Sequence, residues 1–142
     1  SPGMKRRKVP RLGDLSSAEL VGHLGSRNEW NRTTAQRLLW ERQDKSVVPQ
    51  LVDNLVHPVP QGQLHTLYTL AGLDALEPAH LQRVLRDTKH PRVRAHAVRL
   101  ADPFLRDKSG GALLKQLVDL VDDDRRTDPH VLFQLAFTPS TQ

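Results

Sequence analysis

Four related segments recur along the sequence, beginning with Trp30-Asn-Arg-Thr-Thr-Ala-Gln-Arg-Leu-Leu39. The later copies are Leu64-His-Thr-Leu-Tyr68, Ala95-His-Ala-Val-Arg-Leu100 and Phe133-Gln-Leu-Ala-Phe137. A helical unit of about 30 to 40 residues repeated in tandem indicates stacked helix pairs. The sequence therefore predicts an all-α fold, a right-handed α-α superhelix (solenoid) of about four helix pairs that presents an extended surface.

The composition fits one domain with a modest core. The chain has 142 residues, of which 37% are hydrophobic and only 4% aromatic, so the core must be built from Leu, Val and Ala. There is no cysteine, which excludes a disulfide framework, a thiolate metal site and a Cys-x-x-Cys-His haem attachment within these residues. No apolar run approaches the length of about 18 residues that a transmembrane helix needs, so we expect no membrane span.

The positive charge is concentrated at the start of the chain. Of 21 Lys and Arg, five precede the first acid, Asp14, and the remaining 16 are balanced by 16 Asp and Glu. A nucleic-acid-binding domain carries its basic stripe on the fold itself. The neutral body therefore argues against nucleic acid, and weak binding is expected only from the tail around Lys5-Arg-Arg-Lys8.

The apolar spacing predicts eight helices between flexible ends. Ser16-Ser-Ala-Glu19 is a capping box that begins the first helix, a second helix covers about 31–43, and a third covers 46–57. We expect a flexible basic arm or linker at 1–14, the repeat domain at 15–138 and a disordered tail at 139–142. Pro129 begins an eighth helix that is short, which suggests a piece of a longer protein.

One stretch resembles HEAT repeats closely. In Asp87-Thr-Lys-His-Pro-Arg-Val-Arg-Ala-His-Ala-Val-Arg-Leu100, the x-Pro-x-Val-Arg pattern opens the second helix of a pair, and Asp124-Arg-Arg-Thr-Asp-Pro-His-Val-Leu-Phe133 is a weaker copy. Most of 15–138 also resembles the HEAT segment of bacterial, planctomycete-type membrane-bound dehydrogenase-domain proteins. That resemblance implies an exported or periplasmic parent, with a β-propeller before the repeats and a c-type cytochrome domain after them.

Alignment of the copies by residue type gives one recurrent polar column. It places Gln36, His65, His96 and Gln134 at the same position of successive second helices. We favour a structural column, in which each side chain bonds a neighbouring repeat or a loop carbonyl. The functional alternative is a ligand- or partner-facing ladder. A shared metal is disfavoured, because stacked helices lie about 8–10 Å apart and zinc holds histidine nitrogens at about 2 Å.

Arg94 is expected to have a structural role, whereas Trp30 has both a structural and a functional interpretation. Arg94 occupies the HEAT arginine position, and we expect a structural contact with an acidic group, for which Asp87 is the candidate. Trp30, with Arg32 close by, either fixes the turn between two helices or forms an exposed aromatic anchor for a partner, since Trp and Arg are enriched at binding hot spots.

The sequence contains no recognisable catalytic, metal or cofactor set. Asp122-Asp-Asp-Asp124 lacks the alternating pattern of a calcium loop, and no nucleophile elbow or phosphate-binding glycine motif is present. We therefore expect a non-catalytic scaffold that binds a protein partner or the flanking domains of its own chain, within a larger redox-type protein. The alternatives are a HEAT-like nucleic-acid-binding or DNA-repair domain, and an accessory role like that of bilin lyases, which rests on fold analogy alone.

Overall fold

The computed structural model describes residues 11–107 and 110–123, and this part of the chain is all-helical. The fold-class prediction is therefore confirmed at the level of an all-α protein. Seven α-helices follow one another in the described ranges: α1 (Ser17–His23), α2 (Glu29–Arg42), α3 (Val48–Asp53), α4 (Pro60–Gly72), α5 (Pro78–Asp87), α6 (Pro91–Leu105) and α7 (Gly111–Asp123). No helix in these ranges is long and apolar enough to cross a membrane.

Local sequence explains where the helices begin. The predicted capping box is confirmed: the Ser16 hydroxyl accepts from the Glu19 amide, and the Glu19 carboxylate accepts from the Ser16 amide. The Asn28 side chain caps α2, three residues before the predicted start. Proline occupies the first turn of α3, α4, α5 and α6, where its missing N–H costs no hydrogen bond.

The third helix is shorter than the continuous helix predicted over 46–57. Helix α3 is flanked by 3₁₀ turns at Lys45–Val47 and Asn54–Val56. Asp44 caps the first turn through the Ser46 amide, and the Asn54 side chain donates to the Thr66 hydroxyl in α4 at 2.8 Å. The segment predicted as one helix is therefore a short α-helix between two 3₁₀ turns, with Asp44 capping the first turn and Asn54 of the second bonded to α4.

Residues ahead of the predicted boundary at residue 15 already pack against the helices. Leu12–Asp14 form a 3₁₀ turn, and the Leu12 side chain is buried against the core. The Arg42 guanidinium donates to the Gly13 and Leu15 carbonyl oxygens at 3.0 and 2.7 Å. These residues lie within the predicted flexible arm, yet one buried leucine and one arginine attach them to α2.

The core consists mainly of leucine, valine and alanine, as the low aromatic content requires. Ten leucines, among them Leu20, Leu51 and Leu81, are at most 1% exposed. Helix α4 packs against both α2 and α6, whereas α1 contacts α3 and α5 contacts α7. Helices α2, α4 and α6 therefore lie side by side, with α4 between the other two.

The second helices follow a 31-residue register. Their N-caps are Asn28, Val59 and His90. In that register Ala35, Thr66 and Ala97 coincide, and each is 0% exposed. The left-handed backbone positions after α2 and α4, Gln43 and Asp74, also lie 31 residues apart.

The His57 ring fills the space between two glycines. A Cβ on Gly25, after α1, or on Gly62, in α4, would overlap the imidazole. The Val59 amide donates to His57 Nδ1 at 2.9 Å, which fixes the ring at the start of α4. Glycine is needed at both positions because the ring approaches the backbone of each.

Pro103 lies inside α6, which continues to Leu105. The predicted eighth helix, Gln134 and the tail at 139–142 fall outside the described residues.

Candidate functional site

Three helices form the surface on which the predicted polar column lies. In the 31-residue register His65 and His96 correspond to each other and to Thr34, whereas Gln36 corresponds to Leu67 and Val98. The alignment by residue type therefore shifted α2 by two positions. Gln36 contacts His65 in space, but it is not the counterpart of either histidine in the 31-residue register.

Gln36 and His65 are joined across α2 and α4. The distance from His65 Nδ1 to Gln36 Oε1 is 2.5 Å. Because an amide carbonyl oxygen only accepts, this hydrogen bond requires the proton of the ring on Nδ1. Both side chains are partly buried, so this bond fixes them at the junction of the two helices.

Tyr68 and His96 make the corresponding link between α4 and α6. The Tyr68 hydroxyl lies 2.7 Å from His96 Nδ1, and the two rings meet edge to face with centroids 5.6 Å apart. Neighbouring second helices are therefore bridged by polar side chains at both junctions. Bonds between neighbouring helices are what the structural interpretation of the column predicts.

Burial and positive charge favour the neutral form of both histidines. Burial lowers the pKa of His96 below its ordinary value of 6.5, and the Arg92 and Arg99 charges lower it further. Burial likewise lowers the pKa of His65, with Arg32 acting in the same direction and Glu29 opposing it. Burial also raises the pKa of Tyr68 above its ordinary value of 10.0, opposed by Arg99.

Arg94 is structural, but its partner is not the one expected. Its guanidinium donates to the Thr88 carbonyl oxygen at 3.0 Å, and its Nε is buried without a hydrogen bond. Asp87 instead accepts two hydrogen bonds from Arg86. The expected Arg94–Asp87 pair is therefore wrong, because the backbone carbonyl that precedes α6 takes the place of the carboxylate.

Arg32, expected on an interaction surface, makes the same kind of contact. It donates to the Ser26 and Arg27 carbonyl oxygens at 2.7 and 3.1 Å, and its Nε is also buried without a partner. Its guanidinium is thus directed at the turn between α1 and α2. Arg32 holds that turn, and it is not an outward-facing contact residue.

Trp40 forms the wall of a pocket of about 290 Å³ at the junction of α2 and α4. Thr33, Gln36, Arg37 and Tyr68 complete the lining. The indole is 56% exposed, but its Cδ1 edge lies against Gly72, where an added Cβ would come within 2.8 Å of Cδ1. Gln43 secures the same end by donating to the carbonyl oxygens of Trp40 and Gly72.

Trp30 lies in the first turn of α2 and is 65% exposed. It borders a second, larger pocket of about 660 Å³ between α1 and α2, together with Leu12, Leu15 and Leu38. The exposure favours the aromatic-anchor interpretation of Trp30 over the turn-fixing one. The two tryptophans therefore mark two separate surfaces of α2.

Helix α6, next to the Trp40 pocket, carries exposed positive charge. Arg92, His96 and Arg99 are spaced so that they share one face of that helix. Both arginines are exposed, and neither has an ion-pair partner among the described residues. Helix α4 itself contains no Asp, Glu, Lys or Arg, so nothing on it neutralises these charges.

The same register defines a row that residue types did not reveal. Arg37, Tyr68 and Arg99 occupy equivalent positions of α2, α4 and α6. This row could have been predicted from the prolines at the start of α4 and α6, because aligning Pro60 with Pro91 also aligns Tyr68 with Arg99. We call Arg37, Trp40, Tyr68 and Arg99 the cross-helix face.

Within the described ranges, no group of three or more His, Asp or Glu side chains is placed to hold a metal ion. Comparison with known proteins found no matching family model, curated protein or solved structure.

Proposed function

We propose that the chain is a HEAT-like helical-repeat module that binds a protein segment through the cross-helix face and performs no chemistry of its own. The segment belongs to a separate partner or to a flanking domain of the same chain. The observation that carries the proposal is that polar side-chain bonds beside this face link α2 to α4 and α4 to α6. The Gln36–His65 and Tyr68–His96 bonds do this and leave an open pocket beside Trp40.

The repeat architecture is supported by the spacing of equivalent residues. The N-caps, the buried positions and the left-handed turn residues each recur at 31 residues. Stacked repeats of this kind contact mainly their neighbours and display a continuous surface. The resemblance to dehydrogenase-associated HEAT segments adds that redox chemistry would belong to flanking domains.

The proposed surface has the properties of a small recognition site. Binding energy at protein interfaces is concentrated in a few Trp, Tyr and Arg residues, and the face offers one Trp, one Tyr and two Arg. Preorganisation reduces the entropy that binding must overcome. Tyr68 is already held by His96, so its ring does not have to be ordered when a partner binds.

A displayed library of random seven-residue peptides tests the proposal. We expect the full chain to enrich a set of peptides whose binding is lost in Tyr68→Ala. The matched control is Gln82→Ala on α5, away from the face, which should bind like the unaltered chain. Circular dichroism establishes that both variants keep their helices. Failure to enrich any peptide, or binding that is indifferent to Tyr68→Ala, would overturn the proposal.

Nucleic-acid binding is the second candidate, favoured by the exposed Arg92 and Arg99. Binding of duplex DNA should be measured on the full chain and on a full chain with Lys5, Arg6, Arg7 and Lys8 changed to Gln. Tight, salt-sensitive binding that persists in the second protein would support a DNA-binding body. Binding that disappears would assign the affinity to the basic tail.

A further inference from the structure

We propose that the cross-helix face recognises an acidic peptide segment that lies across α2, α4 and α6 and inserts one bulky apolar side chain beside Trp40. This inference rests on the proposed function and specifies the chemistry of the partner. Its elements are the pocket at the α2–α4 junction, the two arginines of the row and the absence of charge on α4.

Charge complementarity identifies the partner as acidic. Arg99 has no ion-pair partner among the described residues, and Arg92 stands seven residues before it on the same helix face. Arg37 is paired with Glu41 at 3.1 Å, but both side chains are about half exposed. Exposed pairs of this kind are weak, so a partner carboxylate competes with Glu41 for Arg37.

The spacing of the helices sets the length of the segment. Packed helices lie about 8–10 Å apart, and an extended peptide rises about 3.3 Å per residue. Three residues therefore cross from one helix to the next, and about seven span the row from Arg37 to Arg99. The arrangement favours acidic residues near both ends of such a segment and an aromatic or aliphatic residue near its centre.

The apolar side chain has a defined place. The pocket has a volume of about 290 Å³ and is closed on one side by the Trp40 indole and on another by Tyr68. Trp40 cannot retreat toward α4, because the Cδ1 edge of its indole already lies against Gly72. A single side chain of the partner would therefore stack on a wall that is already in place.

The same features favour a peptide over nucleic acid. Proteins that track duplex DNA neutralise several phosphates, commonly about 6 to 10. The cross-helix face and its surroundings offer Arg37, Arg92 and Arg99, one of them already paired. Arg32 and Arg94 are directed at backbone carbonyls and do not add to this number.

The test compares two peptide libraries on one protein. The protein is the full chain with Lys5, Arg6, Arg7 and Lys8 changed to Gln, so that the tail does not attract acidic peptides. Each library has seven residues with a random centre, and the two ends are fixed as Glu in one library and as Gln in the other. We expect at least tenfold more binders from the Glu library, with an apolar residue near the centre.

Direct titration then assigns the contacts. In a Trp30→Phe background Trp40 is the only tryptophan of the chain, so its fluorescence reports on the pocket. The best peptide should change Trp40 emission saturably, bind about tenfold more weakly to Arg99→Gln, and bind unchanged to Arg86→Gln on α5. Raising the salt concentration should weaken binding, because exposed charges are screened.

The outcomes separate this inference from the proposed function. Peptides that depend on Tyr68 but come equally from both libraries, or that bind Arg99→Gln normally, would leave a binding module whose partner is not acidic, and the inference fails. No enriched peptide from any library would remove the proposed function as well. If the tail-neutral protein binds a duplex oligonucleotide more tightly than the best acidic peptide, nucleic acid replaces the acidic partner.

Discussion

Arg32 and Arg94 make the same hydrogen bond, each donating to the backbone carbonyl oxygen six residues before it. Both are the fourth residue after an N-cap, and Gln63 occupies that position in α4. Gln63 donates to the Leu55 carbonyl oxygen and is itself buried. The fourth residue after the N-cap of α2, α4 and α6 therefore donates to a carbonyl oxygen of the chain that leads into that helix.

We expect Arg94→Met to lower the free energy of unfolding by about 1–3 kcal/mol, because it leaves the Thr88 carbonyl without its charged donor while retaining apolar volume. Urea denaturation at neutral pH measures the change. Arg99→Met, on the exposed side of the same helix, is the control and should stay within about 0.5 kcal/mol. Equal effects in the two variants would show that the carbonyl contact contributes nothing.

We expect Gly62→Ala to destabilise the protein by about 1–3 kcal/mol, because the new methyl group overlaps the His57 ring in a packed region. Gly22→Ala in α1, where an added Cβ meets nothing within 4 Å, should instead stabilise by about 0.5–1 kcal/mol. Thermal or urea unfolding gives both values.

A double-mutant cycle assigns the cause of the Gly62 effect. In a His57→Ala background the overlap is absent, so the penalty of Gly62→Ala should shrink toward zero. A penalty of undiminished size in that background would place the strain elsewhere in α4.

Stability should fall as the pH is lowered through the histidine range. Burial lowers the pKa of His65, His80 and His96 in the folded protein below the ordinary value of 6.5. The unfolded chain therefore binds protons first, and the free energy of unfolding declines as the pH falls below about 6.5. Urea denaturation between about pH 7.5 and 5 covers this window, which lies above the ordinary range of Asp and Glu.

Substitution of one histidine tests the assignment. His96→Gln keeps a side chain that can bond the Tyr68 hydroxyl but cannot titrate, so it should flatten the decline. A stability that stays constant or rises on acidification would contradict the prediction, as would NMR titration of the His96 ring above its ordinary pKa.

We expect Gly72→Ala to move the Trp40 indole with little loss of stability. The added methyl group would crowd Cδ1, whereas alanine is about 1 kcal/mol better than glycine within a helix. In a Trp30→Phe background, Trp40 emission should shift to longer wavelength as the ring gains solvent. An unchanged spectrum would mean that Trp40 does not rest on Gly72.

The sequence was sufficient for the helices but not for their register. Apolar spacing such as Leu81, Val84 and Leu85 locates a helix because it repeats with the helical period, and Ser16 and Glu19 locate an end by local bonding. The Gln36–His65 and Tyr68–His96 bonds could not be predicted, since they join residues about thirty positions apart. Alignment by residue type made Gln36 equivalent to His65. The N-caps and the buried alanines instead make Thr34 the equivalent of His65, two residues before Gln36.

The partner of Arg94 was predicted wrongly for a related reason. A carboxylate is the usual choice for a guanidinium, and Asp87 lies nearby in sequence. The chain entering α6 instead presents the Thr88 carbonyl oxygen to the guanidinium, and Asp87 bonds Arg86. Backbone acceptors carry no mark in the sequence, so contacts with them are found only from the fold.

The 31-residue spacing of the N-caps restricts how the length of this chain can change. One residue inserted within α4 ahead of His65, or within α6 ahead of His96, would rotate the remainder of that helix by about 100° relative to its N-cap, since a helix advances 3.6 residues per turn. Such a rotation would carry Tyr68 or Arg99 out of its row and leave His65 or His96 without its partner. Changes of chain length are therefore tolerable in the turns between the helices but not within α4 or α6 ahead of these residues.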